Sequence, residues 1–373
     1  MTLEESPGCD PRGIFAPTAL ERLAPRHVLH GCRPVETGTG ADFVGSQLLS
    51  PLAAAFPNLE VRTDIALRGS FRDGDWTATS GHLFGVFAAS LFGIAPTHRV
   101  AFLRFGCFQR WQDGLAAETI VIVDLPSLMR QAGTWPLAAS LGPDLMAPPP
   151  RGPASIWPPG DGAAALGIVE KMIGGLMRFD GSLATMNMRD YFAPDFWWFG
   201  PAPIGTFRGF ADYERGHAGP FLTAFPDRIG GNHRARFGNG DFVASTGWPS
   251  ITATHKGAGW LGLPASDRAI TMRVMDFWRA DAGMLCENWV MIDIPDLLNQ
   301  IGIDVFAAAN QGARTGGISQ ARRDGASQGR QRPQGPRHCR NDSGRYRRPR
   351  RRGGPRAQHQ VRQLGPRIVP ADA

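Results

Sequence analysis

Cysteine is scarce in this chain, and no long hydrophobic run occurs. The five cysteines are scattered, odd in number and without metal-ligand spacing: Cys9, Cys32, Cys107, Cys286 and Cys339. This pattern argues against a disulfide scaffold and a zinc module, and it fits a reducing cytoplasm. No stretch approaches the about 20 apolar residues of a membrane-spanning helix. The N-terminal stretch lacks a basic start followed by an apolar run, so no secretory signal is expected.

The chain is 373 residues long and 42% hydrophobic. At about 100–200 residues per domain, this length suggests two domains with real cores. The apolar fraction excludes a wholly disordered protein.

Charge is spread unevenly along the chain. The formal net charge is +7, but residues 311–373 hold 16 Arg, no Lys and 3 Asp, so this tail contributes +13 and residues 1–310 carry −6. The tail is rich in Arg, Gly and Pro without apolar periodicity, which predicts disorder. Three interpretations stay open: a nucleic-acid-binding tail, an inert extension, or coding sequence read out of frame. Nucleic acid is therefore expected as a partner only through this tail.

Residues 141–164 are dense in Pro and Gly, which predicts a linker. The segments on either side match each other at a fixed offset of 169 residues. The matching pairs include Arg104 and Arg273, Phe108 and Phe277, Arg110 and Arg279, Glu118 and Glu287, and Asp124 and Asp293. So many identities on one offset indicate an internal duplication, with domains at 12–140 and 165–308.

Each copy is predicted to be an α+β domain. In the second copy, the apolar spacing predicts helices at 166–180, 211–225 and 295–301, and strands at 242–255, 267–280 and 284–294. Helices first and strands after predict a cone-shaped domain, in which a curved antiparallel sheet packs on N-terminal helices. In the first copy, the counterpart of the first helix would lie before residue 12, so that helix is predicted to be shortened or missing.

Several motifs of the second copy occur together in one known family. They are Thr252-Ala253-Thr254-His255-Lys256-Gly257, Gly262-Leu263-Pro264, Arg273, Asp276-Phe277, Glu287-x-Trp289, Asp293 and Leu297-Leu298-x-Gln300-x-Gly302. This pattern resembles a SnoaL-like polyketide cyclase domain of the nuclear transport factor 2-like superfamily. The first copy keeps Ser80-Gly81-His82, Gly93-Ile94-x-Pro96-Thr97 and Asp124, so the resemblance covers about 20–137 and 165–306.

The resemblance implies a cofactor-independent and metal-free cyclase, isomerase or lyase that acts on an apolar small molecule. Because this fold also hosts non-catalytic proteins, the alternative is a small-molecule-binding or dimerisation domain. Domains of this family usually pair through their sheets, which implies an intrachain pseudo-dimer or a homodimer, without a membrane partner.

Asp293 is the first candidate catalytic residue. It ends an apolar strand, and Trp289 and Met291 share its face. Desolvation there would raise its pKa and make it a better proton acceptor at neutral pH. The resemblance implies a general acid/base role in an intramolecular aldol reaction, and the other interpretation is a cap of the following helix.

His255 is the second candidate, either as a donor to a substrate carbonyl or as a structural histidine.

Four residues are candidate substrate contacts. Trp289, Trp260 and Trp198 could stack on a flat substrate, although such residues are more often core. Arg273 is the fourth; it lies three residues from Asp276 on a strand, so the two should face opposite sides and only one can line the pocket.

The first copy offers Asp124 and His82 as weaker catalytic candidates. Cys107 and Ile120 stand where the second copy has Asp276 and Trp289, which predicts a different or degenerate pocket. If His255 and Asp293 do not share a cavity, the non-catalytic alternative gains support.

Overall fold

The computed structural model describes residues 10–309 apart from 73 and 153. The predicted disordered tail lies outside the described residues, as does almost all of the stretch ahead of residue 12. None of the helices in the described ranges is long and apolar enough to cross a membrane.

Two copies of one α+β fold follow each other along the chain. Domain 1 contains β1 (Leu23–Gly31), β2 (Thr37–Thr39), α1 (Ala41–Val44), α2 (Ser50–Ala55), β3 (Glu60–Phe71), β4 (Gly74–Val86), β5 (Val100–Gln112), β6 (Leu115–Val123) and α3 (Leu125–Gln131). Domain 2 contains α4 (Ala163–Leu176), β7 (Phe192–Phe199), β8 (Thr206–Arg208), α5 (Gly209–Tyr213), α6 (Gly219–Ala224), β9 (Ala235–Asn239), β10 (Phe242–Thr254), β11 (Ala269–Asp281), β12 (Met284–Ile292) and α7 (Ile294–Gln300). A π-helical turn joins α1 to α2 and another joins α5 to α6.

The sheets have the orders β2-β1-β6-β5-β4-β3 and β8-β7-β12-β11-β10-β9. These orders are the same, and β5, β6 and α3 recur as β11, β12 and α7 at the 169-residue offset. The predicted α+β fold is therefore confirmed.

One feature of the sheets differs from the prediction. Each sheet contains a parallel pair, β1 with β6 and β7 with β12, so both sheets are mixed rather than antiparallel throughout. Parallel strands need a long crossover connection, and the helices and four strands between β7 and β12 provide it. Strands β7, β8 and β9 were not predicted from the sequence.

Matching hairpin turns help to explain why the last third of each copy has the same fold. Ala282 and Gly283 have φ values of 48° and 80°, and their counterparts Asp113 and Gly114 have 51° and 75°. Two consecutive residues with positive φ form the tight turn that suits the twist of a hairpin, so both copies contain the same glycine turn.

The two sheets pack face to face about a pseudo-twofold axis. Phe108 contacts Phe277, its counterpart at the 169-residue offset, with ring centroids 5.6 Å apart. The carboxylate of Asp124 accepts the backbone N–H of Ala202 at 3.0 Å, and the carboxylate of Asp293 accepts that of Arg33 at 3.0 Å. Such reciprocal contacts between equivalent residues are typical of twofold interfaces.

The N-terminal turn Gly13–Phe15 fills the cone of domain 1. Ile14 is fully buried, and the ring of Phe15 packs on Phe105 with centroids 4.9 Å apart. Gly13 has a φ of 58°, and a Cβ there would lie 3.1 Å from the Cys107 sulfur. Because Cys107 is the counterpart of Asp276, the turn covers the position of the domain 2 aspartate.

Candidate functional site

A cavity of about 200 Å³ lies in domain 2 between the sheet and helices α4 and α6. Its walls are mainly apolar and rich in methionine, a side chain that adapts to irregular shapes. The apolar lining is Met172, Ile173, Leu176, Met177, Met186, Met188, Phe192, Ala218, Phe221, Leu222, Ile251, Met272, Val274, Val290 and Ile292. The lining residues with polar atoms in their side chains are Trp198, Tyr213, His217, Arg228, Asn232, His233, Arg236, Ser245, Ser250, Asp276, Trp278 and Asn288.

Strand β11 places an aspartate in this cavity. Its alternate residues Met272, Val274, Asp276 and Trp278 line the cavity because successive side chains of a strand point to opposite faces. Arg273 lies on the opposite face and forms ion pairs there. The prediction that Arg273 and Asp276 face opposite sides is confirmed.

Asp276 is held in an environment that disfavours its charge. Desolvation raises the pKa of Asp276 to about 7, and the Asn288 amide and the charge of Arg236 offset this only in part. Asn288 donates to its Oδ1 at 3.4 Å. Within the described residues Asp276 has no ion-pair partner. Near neutral pH it can therefore both accept and return a proton.

Arg236, Ser245 and Asp276 form a row across β9, β10 and β11. Ser245 is paired with Arg236 on one side and with Asp276 on the other. All three side chains line the cavity, and Arg236 Nε donates to Ser245 Oγ at 3.2 Å. The sheet therefore fixes a cation, a hydroxyl and an acid in sequence along one wall.

Two ring nitrogens at the cavity lack hydrogen-bond partners. The imidazole of His217 stacks on Trp198 with centroids 4.0 Å apart, and desolvation lowers its pKa to about 3, so it is neutral at physiological pH. His217 Nδ1 and Trp278 Nε1 are buried without a partner in the described part of the chain. Both residues line the cavity, so these nitrogens lie beside the space that a bound molecule would occupy.

Asp293, the first sequence candidate, lies outside this cavity. Its Oδ1 accepts the Asp296 N–H at 3.2 Å and so caps α7, while its Oδ2 accepts from Arg273 at 3.1 Å and from the Arg33 backbone. Burial raises the pKa of Asp293 to about 7, the direction expected from the sequence. This geometry corresponds to the capping interpretation, and a catalytic role for Asp293 stays untested.

His255 also lies outside the cavity. Its Nδ1 lies 3.1 Å from Ser266 Oγ, and its ring packs on Phe225 with centroids 5.3 Å apart. The structure therefore does not bring His255 and Asp293 together in the cavity.

Of the four predicted substrate contacts, only Trp198 lines the cavity. Trp260 packs on Phe225, and Trp289 donates to the Pro148 carbonyl at 3.2 Å on the domain interface side. Their roles in binding stay predictions, as does that of Arg273.

In domain 1, His82 and Asp124 border a space of about 30 Å³ next to residues of domain 2. Asp124 caps α3, and His82 Nδ1 lies 2.8 Å from Asp64. A space of this size suits an ordered water rather than a substrate.

Asp276, Arg236 and His217 were not among the site residues predicted from the sequence. Alternation along β11 could have found Asp276, which shares a face with three apolar cavity residues. Arg236 sits on a short edge strand, and His217 on a five-residue π-helical turn, so neither carried a periodic signal. Across residues 10–309, leaving aside 73 and 153, no three His, Cys, Asp or Glu side chains gather as metal ligands.

The strand orders and the cavity define a tandem of two α+β domains, of which domain 2 holds the cavity. Residues 182–301 match the family described as SnoaL-like polyketide cyclase, so domain 2 is a SnoaL-like domain.

Several solved structures are similar to parts of the chain. IdmH from Streptomyces antibioticus, a candidate polyketide cyclase, is 25% identical over 36% of this chain and 98% of its own, with a TM-score of 0.28. A candidate polyketide cyclase from Acidithiobacillus ferrooxidans is 24% identical over 36% of this chain and 94% of its own, with a TM-score of 0.30. An NTF2-like protein of unknown function from Burkholderia pseudomallei is 16% identical over 38% of this chain and 99% of its own, with a TM-score of 0.31. None of the curated proteins matches the chain.

Proposed function

We propose that domain 2 is a cofactor-independent enzyme that moves a proton at a carbon next to a carbonyl group, with Asp276 as the general acid/base. The observation that supports this is a carboxyl group with a pKa of about 7 in an apolar cavity, free of an ion pair within the described residues. Such a group has the protonation behaviour that acid/base catalysis needs at neutral pH.

The reaction is an aldol-type cyclisation or a related isomerisation. The Asp276 carboxylate takes the α-proton, and the electron pair of the broken C–H bond moves onto the carbonyl oxygen as an enolate. The enolate carbon forms a bond to a second carbonyl carbon of the same molecule. The resulting alkoxide takes the proton back from Asp276, so the residue ends as it began.

The neutral imidazole of His217 and the indole of Trp278 supply hydrogen-bond donors for the enolate oxygen. Both have an unpartnered buried nitrogen at the cavity. Fixed donors of this kind stabilise developing negative charge in a site that excludes water.

The first test needs no knowledge of the natural substrate. The α-hydrogens of 2-tetralone, a neutral two-ring ketone, should exchange with D2O faster in the presence of the protein, as measured by proton NMR. The rate should rise with pH through about 7 and then level, because the base is the ionised form of Asp276. A protein-dependent rate that only follows hydroxide concentration would contradict the proposal.

A His217→Phe variant tests the donor role. Phenylalanine keeps the stacking on Trp198 but has no ring N–H, so the exchange rate should fall by about 10-fold, within the range of a lost hydrogen bond. The midpoint of the pH profile should stay near 7, since Asp276 is unchanged. An unaltered rate would remove His217 from the mechanism.

The alternative is a non-catalytic binding protein of the same fold. Its support is that Asp293 and His255 do not share the cavity and that the cone of domain 1 is filled. In that case 2-tetralone binds, as seen in ligand-observed NMR, without exchange of its α-hydrogens. Under either function we propose that the two domains form an intrachain pseudo-dimer, and that the free Cys32, Cys107 and Cys286 reflect a reducing cytoplasm.

A further inference from the structure

Arg236 is a buried cation that has no anionic partner among the described residues. Its side chain lines the cavity from the edge strand β9, and the residue is only 9% exposed. Its Nε donates to Ser245 Oγ, while its two terminal nitrogens donate to no protein group in the described ranges. Glu170 and Asp276 influence it through space, but neither forms an ion pair with it.

Three comparable arginines in the described ranges have protein partners, although Arg104 Nε is itself buried without one. Arg104 donates to the backbone carbonyls of Phe199 and Val290. Arg279 pairs with Glu287, and Arg273 pairs with Asp293. A buried charge is unfavourable unless it is paired and hydrogen-bonded. The open guanidinium edge of Arg236 at an otherwise apolar cavity therefore indicates an anion that comes with the ligand.

We propose that Arg236 binds the carboxylate of the substrate, and that domain 2 acts on small apolar carboxylic acids. The terminal nitrogens of a guanidinium present parallel donors that match the two oxygens of a carboxylate. The bond from Nε to Ser245 holds the group so that its terminal edge stays available. This inference names the substrate class for the proposed function, but the binding itself does not depend on catalysis.

The row across the sheet sets the distance between the carboxylate and the reacting carbon. Arg236 and Asp276 lie two strands apart, about 9–10 Å between Cα atoms at the usual strand spacing. Because both side chains reach into the cavity, the substrate carboxylate bound by Arg236 and the substrate carbon that reacts at Asp276 are separated by a few bonds of the substrate. The cavity of about 200 Å³ exceeds the about 150 Å³ that takes one benzene ring, so an acid with one or two rings fits.

The test compares two probes of one shape, 2-naphthoate and the neutral 2-naphthamide, by isothermal titration calorimetry with the full chain at about pH 6. At this pH the naphthoate is ionised and Asp276 is mostly protonated. The unmodified protein should prefer the acid by about 10- to 100-fold, as expected for charge-assisted hydrogen bonds. Arg236→Met should lose this preference while keeping its affinity for the amide, and Arg236→Lys should keep part of it.

Arg228→Gln is the matched comparison, because Arg228 also lines the cavity but already donates to the Leu176 carbonyl. The preference should survive in this variant. Three results would each overturn the proposal. The unmodified protein could bind acid and amide with equal affinity, or the preference for the acid could persist in Arg236→Met. The third is that the preference disappears in Arg228→Gln instead of in Arg236→Met. If Arg236→Met does not fold, the unmodified protein and Arg236→Lys decide.

The outcome is separable from that of the proposed function. Naphthoate has no hydrogen that Asp276 could exchange, and 2-tetralone has no carboxylate for Arg236. Acid-selective binding without exchange of the 2-tetralone hydrogens would support the anion site and contradict catalysis. Exchange of the 2-tetralone hydrogens without acid-selective binding would support catalysis and contradict the anion site.

Discussion

The Asp276→Asn variant is expected to exchange the α-hydrogens of 2-tetralone about 10²- to 10⁴-fold more slowly than the unmodified protein, the usual contribution of a general base. Asparagine has the same size and keeps an oxygen for the hydrogen bond from Asn288, but it cannot accept a proton. The measurement is the initial exchange rate by proton NMR at about pH 8, where the Asp276 carboxylate is ionised.

Two other asparagine variants complete this experiment. Asp281→Asn changes an exposed residue of the same strand and should leave the rate unchanged. Asp293→Asn should mainly lower the melting temperature, because Asp293 caps α7 and accepts from Arg273 and Arg33 at the domain interface. If Asp293→Asn abolished exchange and Asp276→Asn did not, the catalytic role would pass to Asp293.

Stability offers an independent signature of Asp276. Its pKa is about 7 in the folded protein and 3.8 as the ordinary value, so between these pH values the native state holds a proton that the unfolded state has released. The free energy of unfolding therefore falls as pH rises from about 4 to about 7. Asparagine avoids this loss, so the Asp276→Asn variant should be more stable than the unmodified protein at about pH 8, by up to about 4 kcal/mol, and unchanged near pH 4. Equal stabilisation at both pH values would mean that Asp276 is not desolvated.

The Phe108→Ala variant is expected to lower the free energy of unfolding by about 3–5 kcal/mol, the usual range for a fully buried phenylalanine. Phe108 is 0% exposed, and its ring contacts Phe277 and Phe237 of the other sheet. The loss should be seen in chemical denaturation at pH 7. Because Phe277 lies between Asp276 and Trp278 on β11, the same variant should also weaken 2-tetralone binding.

Val100→Ala is the control for this experiment. Val100 lies on the same strand but is 76% exposed, so its truncation should change stability by less than about 0.5 kcal/mol. If Phe108→Ala lowered the free energy of unfolding as little as Val100→Ala, packing between the two sheets would not contribute to stability.

Much of the fold could be predicted from the sequence because it depends on local signals and on repetition. The glycine turn at Gly283, the alternation along β11 and the Pro-started helix after Asp293 are each readable within a few residues. The 169-residue offset then carried these features to the other copy. Strand β7 was missed because its partner β12 lies far along the chain, and its parallel pairing leaves no local pattern.

The site was harder to predict because it depends on which face of each strand meets the cavity. Asp276 lies on β11 and Asp293 directly follows β12; both are next to apolar residues, and the sequence pattern favoured Asp293 because it follows an apolar strand. The face with Trp289 and Met291 turned out to meet the other sheet rather than a ligand, since a second copy of the fold covers it. Arg236 and His217 belong to the site only through tertiary packing.

The pseudo-twofold contact between the two sheets lies within one chain, so the two sheets are covalently connected. Its halves stay together on dilution, so the thermal midpoint should not vary with protein concentration, whereas that of a dissociating dimer would. With the described cone of domain 1 filled by its own N-terminal turn, each chain should titrate one equivalent of ligand per pair of folds. Domain 1 can therefore act as a fixed structural support, and a substitution in the cavity of domain 2 occurs once per pair of domains.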